Sequence, residues 1–300
     1  YKSYEVITSR EERIVDTIFN VVVILLVVIA NVAMGCKVEL HVVKETLRRP
    51  LAPAIGMFSQ FLVMPAISFL IVYLIDMEPG IALGYFALGC SPGGSASNVY
   101  TYLFGGEVSL SVTMTLVSTL ASLGLIPLWL FTVGQKVIYK GTTMNIPFSN
   151  IFISLTGLLV PVVIGIIIQK KKPSWAKKLV KLVKPIIVIF LLFVFTVGVY
   201  ANLYIFDLLD PMILLAGALI PYGGFFLGFL IAFVARQPKK NIITIAIETG
   251  IQNTGIPIVL LKNSLGPPES DMSIVGPVAS AIFTPLPLVF VLIALEIRKR

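Results

Sequence analysis

Apolar residues in this chain run on for about 20 positions at a time, divided by short polar or basic stretches. A helix rising 1.5 Å per residue needs about 20 such residues to cross the roughly 30 Å hydrocarbon layer of a bilayer. Nine spans follow, at about 16–35, 51–75, 81–104, 108–134, 149–169, 185–206, 211–235, 241–262 and 272–296. Two of them are interrupted. The third contains Gly89, Cys90, Ser91, Pro92, Gly93, Gly94, Ser95, Ala96, Ser97 and Asn98 in succession. Pro92 cannot donate to a helix ladder, and the glycine pair permits non-helical dihedrals. The eighth contains Glu248, Thr249, Gly250, Ile251, Gln252, Asn253, Thr254, Gly255 and Ile256 ahead of Pro257, which suits the first turn of a new helix. Both spans are therefore predicted to be helices broken near mid-membrane. They lie five spans apart, so they cross in opposite directions, and the pattern predicts an inverted repeat whose two breaks meet.

Polar residues inside the spans are sparse and grouped. Glu248 is the only one of the 15 acidic residues placed deep in a span. A carboxylate there costs about 3 kcal/mol on insertion scales, which makes it a functional candidate by default. With Gln252, Asn253 and freed carbonyls it offers oxygen ligands for a cation, and Ser95, Ser97 and Asn98 bring uncharged oxygens to the same depth. Span four carries Ser109, Ser111, Thr113, Thr115, Ser118, Thr119 and Ser122. Ser111 and Thr115, four apart, share a helix face and could complete an oxygen cage, although small hydroxyl residues also serve close helix packing. Pro65, Pro127, Pro161, Pro221 and Pro285 predict kinks elsewhere.

Composition agrees: of 300 residues, 57% are hydrophobic and 13% charged, as in an all-α integral membrane protein. The net charge of +8 is unevenly placed. Residues 36–50, 170–184, 236–240 and 298–300 hold 17 of the 23 lysines and arginines. Those linkers alternate with the poorly basic ones, so the positive-inside rule puts the N-terminus outside and the C-terminus in the cytoplasm. The basic excess thus speaks for membrane topology and against a nucleic-acid partner. Lys37–Arg49 and Ser174–Lys184 also mix basic with apolar residues, as interfacial helices on an anionic leaflet would; solvated loops are the alternative. Cys36 and Cys90 suggest neither a disulfide framework nor a metal site, and His41 lies in a charged linker. The chain begins at Tyr1, and a signal peptide or extracellular region is expected upstream. No second buried carboxylate, in-span histidine or phosphate-binding loop is present, so neither catalysis nor ATP-driven transport by this chain is expected.

The two broken spans carry a resemblance. Cys90 to Asn98, then Ser111 and Thr115, then Glu248 to Asn253, resemble the bile acid:sodium symporter family over nearly the whole chain. The resemblance implies nine transmembrane helices in two domains with two crossing broken helices. A core of about 51–134 and 211–296 would face a panel of about 16–35 and 149–206 across a substrate crevice, behind an extracellular tail at 1–15. It implies a first sodium site of Ser97, Asn98, Ser111, Thr115 and Glu248. A second would comprise Gln60, Glu248 and Gln252 with carbonyls of Thr249 and Ile251, and substrate contacts would be Ser95 and Asn253. No organic cofactor is implied; sodium is the coupling ion, a small organic anion the cargo, the lipid bilayer the surroundings and the plasma membrane the location. Ser95 departs from the residue in some bile acid carriers, so sodium coupling carries over more securely than bile acids as cargo. Three readings stay open: sodium-coupled symport of organic anions, proton coupling through Glu248, and a receptor or scaffold that keeps the fold without transport.

Overall fold

The computed structural model describes residues 14–138, 148–181, 210–266 and 268–299. Over these the chain is helical, and five helices are long and apolar enough to cross a membrane unaided. The chain forms an all-α integral membrane fold. Predicted span 185–206 and tail residues 1–13 fall outside the described residues, so the count of nine spans, and the part of the panel assigned there, are not observed.

Helix α1 (Ile14–Lys37) is followed by the short α2 (Leu40–Leu47) in the first basic linker. Helix α3 (Leu51–Leu74) contains one wide turn at Ser59–Val63. The first broken span comprises α4 (Pro79–Gly89) and α5 (Ala96–Leu103). After a tight turn comes α6 (Val108–Trp129), which continues in wide turns to Ile138, beyond the predicted end at 134. Helix α7 (Phe148–Lys171) leads into α8, residues 173–181 of the second basic linker. Helix α9 (Pro211–Val234) precedes the second broken span, α10 (Lys239–Gly250) and α11 (Gly255–Ser264). The last predicted span is divided at Thr284 into α12 (Glu269–Phe283) and α13 (Pro285–Lys299). Pro285 lacks the N–H that would carry the ladder across that joint.

The boundaries have local causes. Asp210 caps α9 by accepting from the Ile213 N–H at 2.8 Å, with Pro211 in the first turn, where a missing N–H costs nothing. Helix α5 ends where Gly105 takes a left-handed φ of 70°. The Gly106 and Gly105 N–H groups then return to the carbonyls of Thr101 and Tyr102 at 2.8 and 3.1 Å, satisfying acceptors that the last turn leaves free. The same pair of bonds ends α9 at Arg236 and Gln237.

Helix α4 occupies the centre. Every residue from Gly80 to Gly89 is buried, which explains why it is apolar on all faces and shows no helical stripe. On one side Leu83 and Phe86 pack with Ile126, Leu130 and Leu260 of α6 and α11; on the other, Tyr85 and Leu88 pack with Met64, Ile220 and Val275 of α3, α9 and α12. Phe226, Phe233, Phe290 and Ile297 on the outer helices are exposed, as lipid-facing side chains are.

Helices α1 and α7 meet backbone to backbone at two glycines. A Cβ on Gly35 would lie 2.1 Å from the Val162 carbonyl oxygen, and one on Gly165 would lie 2.1 Å from that of Val32. Neither backbone neighbour can yield, so Gly165→Val is expected to part the helices and destabilise the protein by about 2 kcal/mol or more. Gly157→Ala on the same helix, where an added Cβ meets nothing within 4 Å, is expected to be neutral or stabilising. Thermal unfolding of the purified variants checks the contrast; equal losses would show that the glycine contact is not what matters.

Candidate functional site

The two breaks meet. Gly93 lies opposite Gln252 in a short antiparallel bridge, with Gly94 N–H donating to the Ile251 carbonyl at 2.8 Å and Asn253 N–H to the Pro92 carbonyl at 2.9 Å. Each break therefore satisfies backbone groups that the other leaves free, which is what allows non-helical chain inside a membrane. Both glycines are required by contact. A Cβ on Gly93 would come within 2.6 Å of Glu248 Oε1, and one on Gly94 within 2.7 Å of the Gln252 carbonyl oxygen.

Glu248, 1% exposed, stands beside this bridge on the last turns of α10. Three hydroxyls from two other helices converge on it. Ser97 of α5 donates to Oε2 at 2.6 Å and Ser111 of α6 to the same oxygen at 2.8 Å, while Thr115 hydrogen-bonds Oε1. Ser111, Thr115 and Ser118 follow one another at four- and three-residue spacing, so they line one face of α6. Ser118 accepts from the Gly93 N–H at 3.3 Å and so joins α6 to the bridge. Closer to the basic end, Thr244 on the same face of α10 accepts from the Glu107 N–H at 2.7 Å, which fixes the turn between α5 and α6.

A second cluster spans the crossing. The Gln60 amide donates to the Ser91 carbonyl and to Gln252 Oε1, both at 2.7 Å, and Gln252 in turn donates to the Thr249 carbonyl at 2.8 Å. Gln60 Oε1 is buried without a partner. An orphaned acceptor in a dry site costs about 1–3 kcal/mol unless something electropositive meets it. Among the described residues there is no group of three His, Cys, Asp or Glu side chains suited to a transition metal. The assembled donors are one carboxylate, hydroxyls, amides and carbonyls, which suit a hard cation.

The sequence profile of the Sodium Bile acid symporter family matches residues 23–207. The chain belongs to that family. It is 33% identical over 291 residues to the ileal sodium/bile acid cotransporter of Mus musculus, a match covering 96% of this chain and 82% of that one. It is 33% identical over 252 residues to the sodium-dependent organic anion transporter of Bos taurus, covering 83% and 66%. It is also 31% identical over 262 residues to the P3 protein of Mus musculus, covering 86% of this chain and 54% of that one. By name the family and the first two relatives are transporters, not enzymes.

In this symporter-family chain the predicted site residues divide into those brought together and those held apart. Ser97, Ser111, Thr115 and Glu248 form one cluster; Gln60, Gln252 and Thr249 form the other, and Ile251 is bound to Gly94. Among the described residues no hydrogen bond links Glu248 to Gln60 or Gln252; the two clusters are joined along α10, where Glu248 precedes Thr249, and through the bridge. Asn98 is not among the side chains hydrogen-bonded to Glu248. Its amide N–H donates to the Ser95 carbonyl at 3.3 Å, and its Oδ1 is buried without a partner. Ser95 is exposed, while Asn253 is occupied in capping α11, its Oδ1 accepting from the Ile256 N–H at 3.2 Å. Ser95, Asn98 and Thr115 border a cavity of about 330 Å³ between α1, α5 and α6.

Ser118, Ser91 and Trp129 escaped the sequence reading as parts of the site. The signal for Trp129 was Pro65. Proline at 65 denies the Phe61 carbonyl its partner four residues on and crowds it, and α3 answers with the wide turn at Ser59–Val63. The Trp129 indole N–H fills the gap, donating to the Phe61 carbonyl at 2.9 Å. That turn carries Gln60, so Trp129 steadies the residue that ties both breaks. Trp129→Phe keeps one aromatic ring but loses the donor and the indole's second ring; a loss of about 1 kcal/mol or more in unfolding free energy is expected. Pro65→Ala returns an N–H to the ladder, so combining it with Trp129→Phe should recover part of that loss. A double variant no better than the sum of the two would discard the orphaned-carbonyl account.

Proposed function

We propose that this chain is a sodium-coupled symporter that moves an organic anion by alternating access. The carrying observation is the convergence of Ser97, Ser111 and Thr115 on Glu248 at the crossing of two broken helices. Membership of a family named for sodium symport supports it.

In this proposal Ser97, Asn98, Ser111, Thr115 and Glu248 hold one sodium ion, and the buried orphan Oδ1 of Asn98 supports its place in the set. Gln60, Gln252 and the carbonyls of Thr249 and Ile251 hold a second, supported by the orphan Oε1 of Gln60. Glu248 serves both ions through their nearness. The anion occupies the cavity beside Ser95, with Asn253 contributing through the half-helix it caps. The domain division is proposed likewise: α3 to α6 and α9 to α13 form the core, α1, α7 and residues 185–206 the panel. The N-terminus faces outward and the C-terminus the cytoplasm of the plasma membrane, by the distribution of basic residues.

Two sodium ions balance Glu248 and one monovalent anion, so the loaded crossing is neutral apart from Lys37, which is exposed at the edge of the neighbouring cavity. Each cycle then carries one net positive charge inward, assisted by about 2.3 kcal/mol per 100 mV of membrane potential. Hyperpolarisation is expected to stimulate uptake. Glu248→Gln preserves shape and is expected to abolish sodium-driven uptake of labelled organic anions while the protein still reaches the membrane. Normal, sodium-dependent uptake by that variant would remove Glu248 from the ligand set; uptake that ignores replacement of sodium by choline but follows a proton gradient would favour proton coupling. No uptake of any anion by the unaltered chain would favour the non-transporting reading.

A finer comparison concerns span four. Thr115→Val is expected to raise the sodium concentration for half-maximal uptake about tenfold or more, the size of one lost hydrogen bond to a charged group. Thr119, whose hydroxyl donates only to the Thr115 carbonyl at 2.6 Å, is the control. Equal shifts in Thr115→Val and Thr119→Val would assign these hydroxyls to helix packing.

A further inference from the structure

The cavity beside the crossing carries a charge that the proposed symport does not yet use. Its polar wall is Ser95, Asn98 and Thr115; Met34, Val99 and Leu116 belong to a largely apolar remainder; and at the end of α1 it is bordered by Lys37. Lys37 is the one charged residue among the described residues that line it. The neighbouring Glu39 does not line it and lies 3.5 Å from His41. Glu248, the carboxylate of the crossing, is bound by Thr115 and Ser97 and is shut off from solvent. An ordinary account of Lys37 exists, since a basic residue in the last turn complements the helix dipole. That account does not require the side chain to border a cavity whose other walls are apolar and hydroxyl-bearing.

We propose that Lys37 is the counter-charge for the transported anion and fixes both its class and its orientation. This rests on the symport reading above. The occupant is an amphipathic monoanion: its carboxylate or sulfate faces Lys37, its apolar body lies on Met34, Val99 and Leu116, and a neutral hydroxyl or amide end meets Ser95 and Asn98. The reverse orientation would set the acid among the uncharged Ser95 and Asn98 and leave Lys37 facing the neutral end, without a counter-charge. The charges of Lys37 and Glu248 supply a coupling mechanism. Without a cation, Glu248 offsets Lys37 and the cavity has little preference for an anion. A sodium ion at Glu248 cancels the carboxylate and leaves the Lys37 charge unopposed, so the anion binds more tightly. By linkage, the bound anion tightens sodium equally.

The test uses the whole chain, purified and reconstituted in vesicles, with labelled cholate and labelled oestrone sulfate as probes and the uncharged methyl ester of cholate as competitor. Half-saturation is measured for each anion at high sodium, and for sodium at low and high anion. Lys37→Gln is expected to raise the anion half-saturation about fivefold or more, in line with one partly solvated charge pair, and to shrink the fall in sodium half-saturation that the anion causes. Lys37→Arg is expected to stay within about twofold of the unaltered protein. The methyl ester should compete weakly, and equally, against both. Lys37 is exposed, so neither variant disturbs the buried helices, and a purely structural role would not alter the coupling between the two half-saturations. Unchanged anion half-saturation and coupling in Lys37→Gln would overturn the assignment, as would an ester that competes as well as cholate. Failure of the unaltered protein to take up either anion saturably would overturn the ligand class. Uptake indifferent to sodium would refute the symport reading, and the half-saturation and ester comparisons would then decide for or against Lys37 by themselves.

Discussion

Backbone polar groups in a membrane must find partners within the protein, because the hydrocarbon offers none. Two helices broken at the same depth would each expose several such groups, at a few kcal/mol apiece. The bridge between Gly93 and Gln252 resolves this by setting the breaks against one another, two hydrogen bonds at 2.8 and 2.9 Å holding them in antiparallel register. The helices around the crossing follow from that arrangement. Helix α4 must be apolar on every face because it enters the crossing through the middle of the protein. Gly93 and Gly94 must lack side chains because a carboxylate and a carbonyl occupy that space.

The polar residues around the crossing form a network rather than a set of isolated pairs. Glu248 draws hydroxyls from α5 and α6, Ser118 holds the Gly93 N–H, and Gln60 reaches from α3 to both breaks. Such networks are worth most when every member is satisfied, and the acceptors left over are then informative. Among the described residues Gln60 Oε1 and Asn98 Oδ1 are the two buried side-chain amide oxygens left over, one in each candidate ligand set. The same tightness governs what could move. Six helices, α3 to α6 with α10 and α11, are bound into the crossing, whereas α1 meets α7 closely at Gly35 and Gly165 and faces α5 and α6 across the cavity. In the proposed cycle, movement would run along that cavity and leave the crossing intact.

How much of this could be read in the sequence depended on how local each signal was. Length and hydropathy marked every described span to within a few residues, because the bilayer imposes them on each helix separately. Pro92 with its glycines, and Gly250 with Gly255, marked both breaks for the same reason. A lone carboxylate in an apolar run marked Glu248. Helical spacing put Ser111 and Thr115 on one face, but spacing could not show that the face was turned toward Glu248 rather than toward a packing neighbour.

The tertiary structure decided the rest. Pro65 announced a disturbed turn in α3, but only the approach of α6 brought the Trp129 N–H to the carbonyl that Pro65 had orphaned. Asn253 read as a ligand from its place in the break, and the fold spends its oxygen on the first turn of α11. Lys37 read as one more basic residue of a linker until the end of α1 was seen to border a cavity with Ser95 and Asn98. The division has a physical cause. The membrane acts on each segment alone and leaves its mark in composition and period, whereas a ligand set is made of residues far apart in the chain whose meeting depends on helix crossings and register. The sequence by itself determined the spans, the breaks and the charge at Glu248; their assembly around one point was settled by packing.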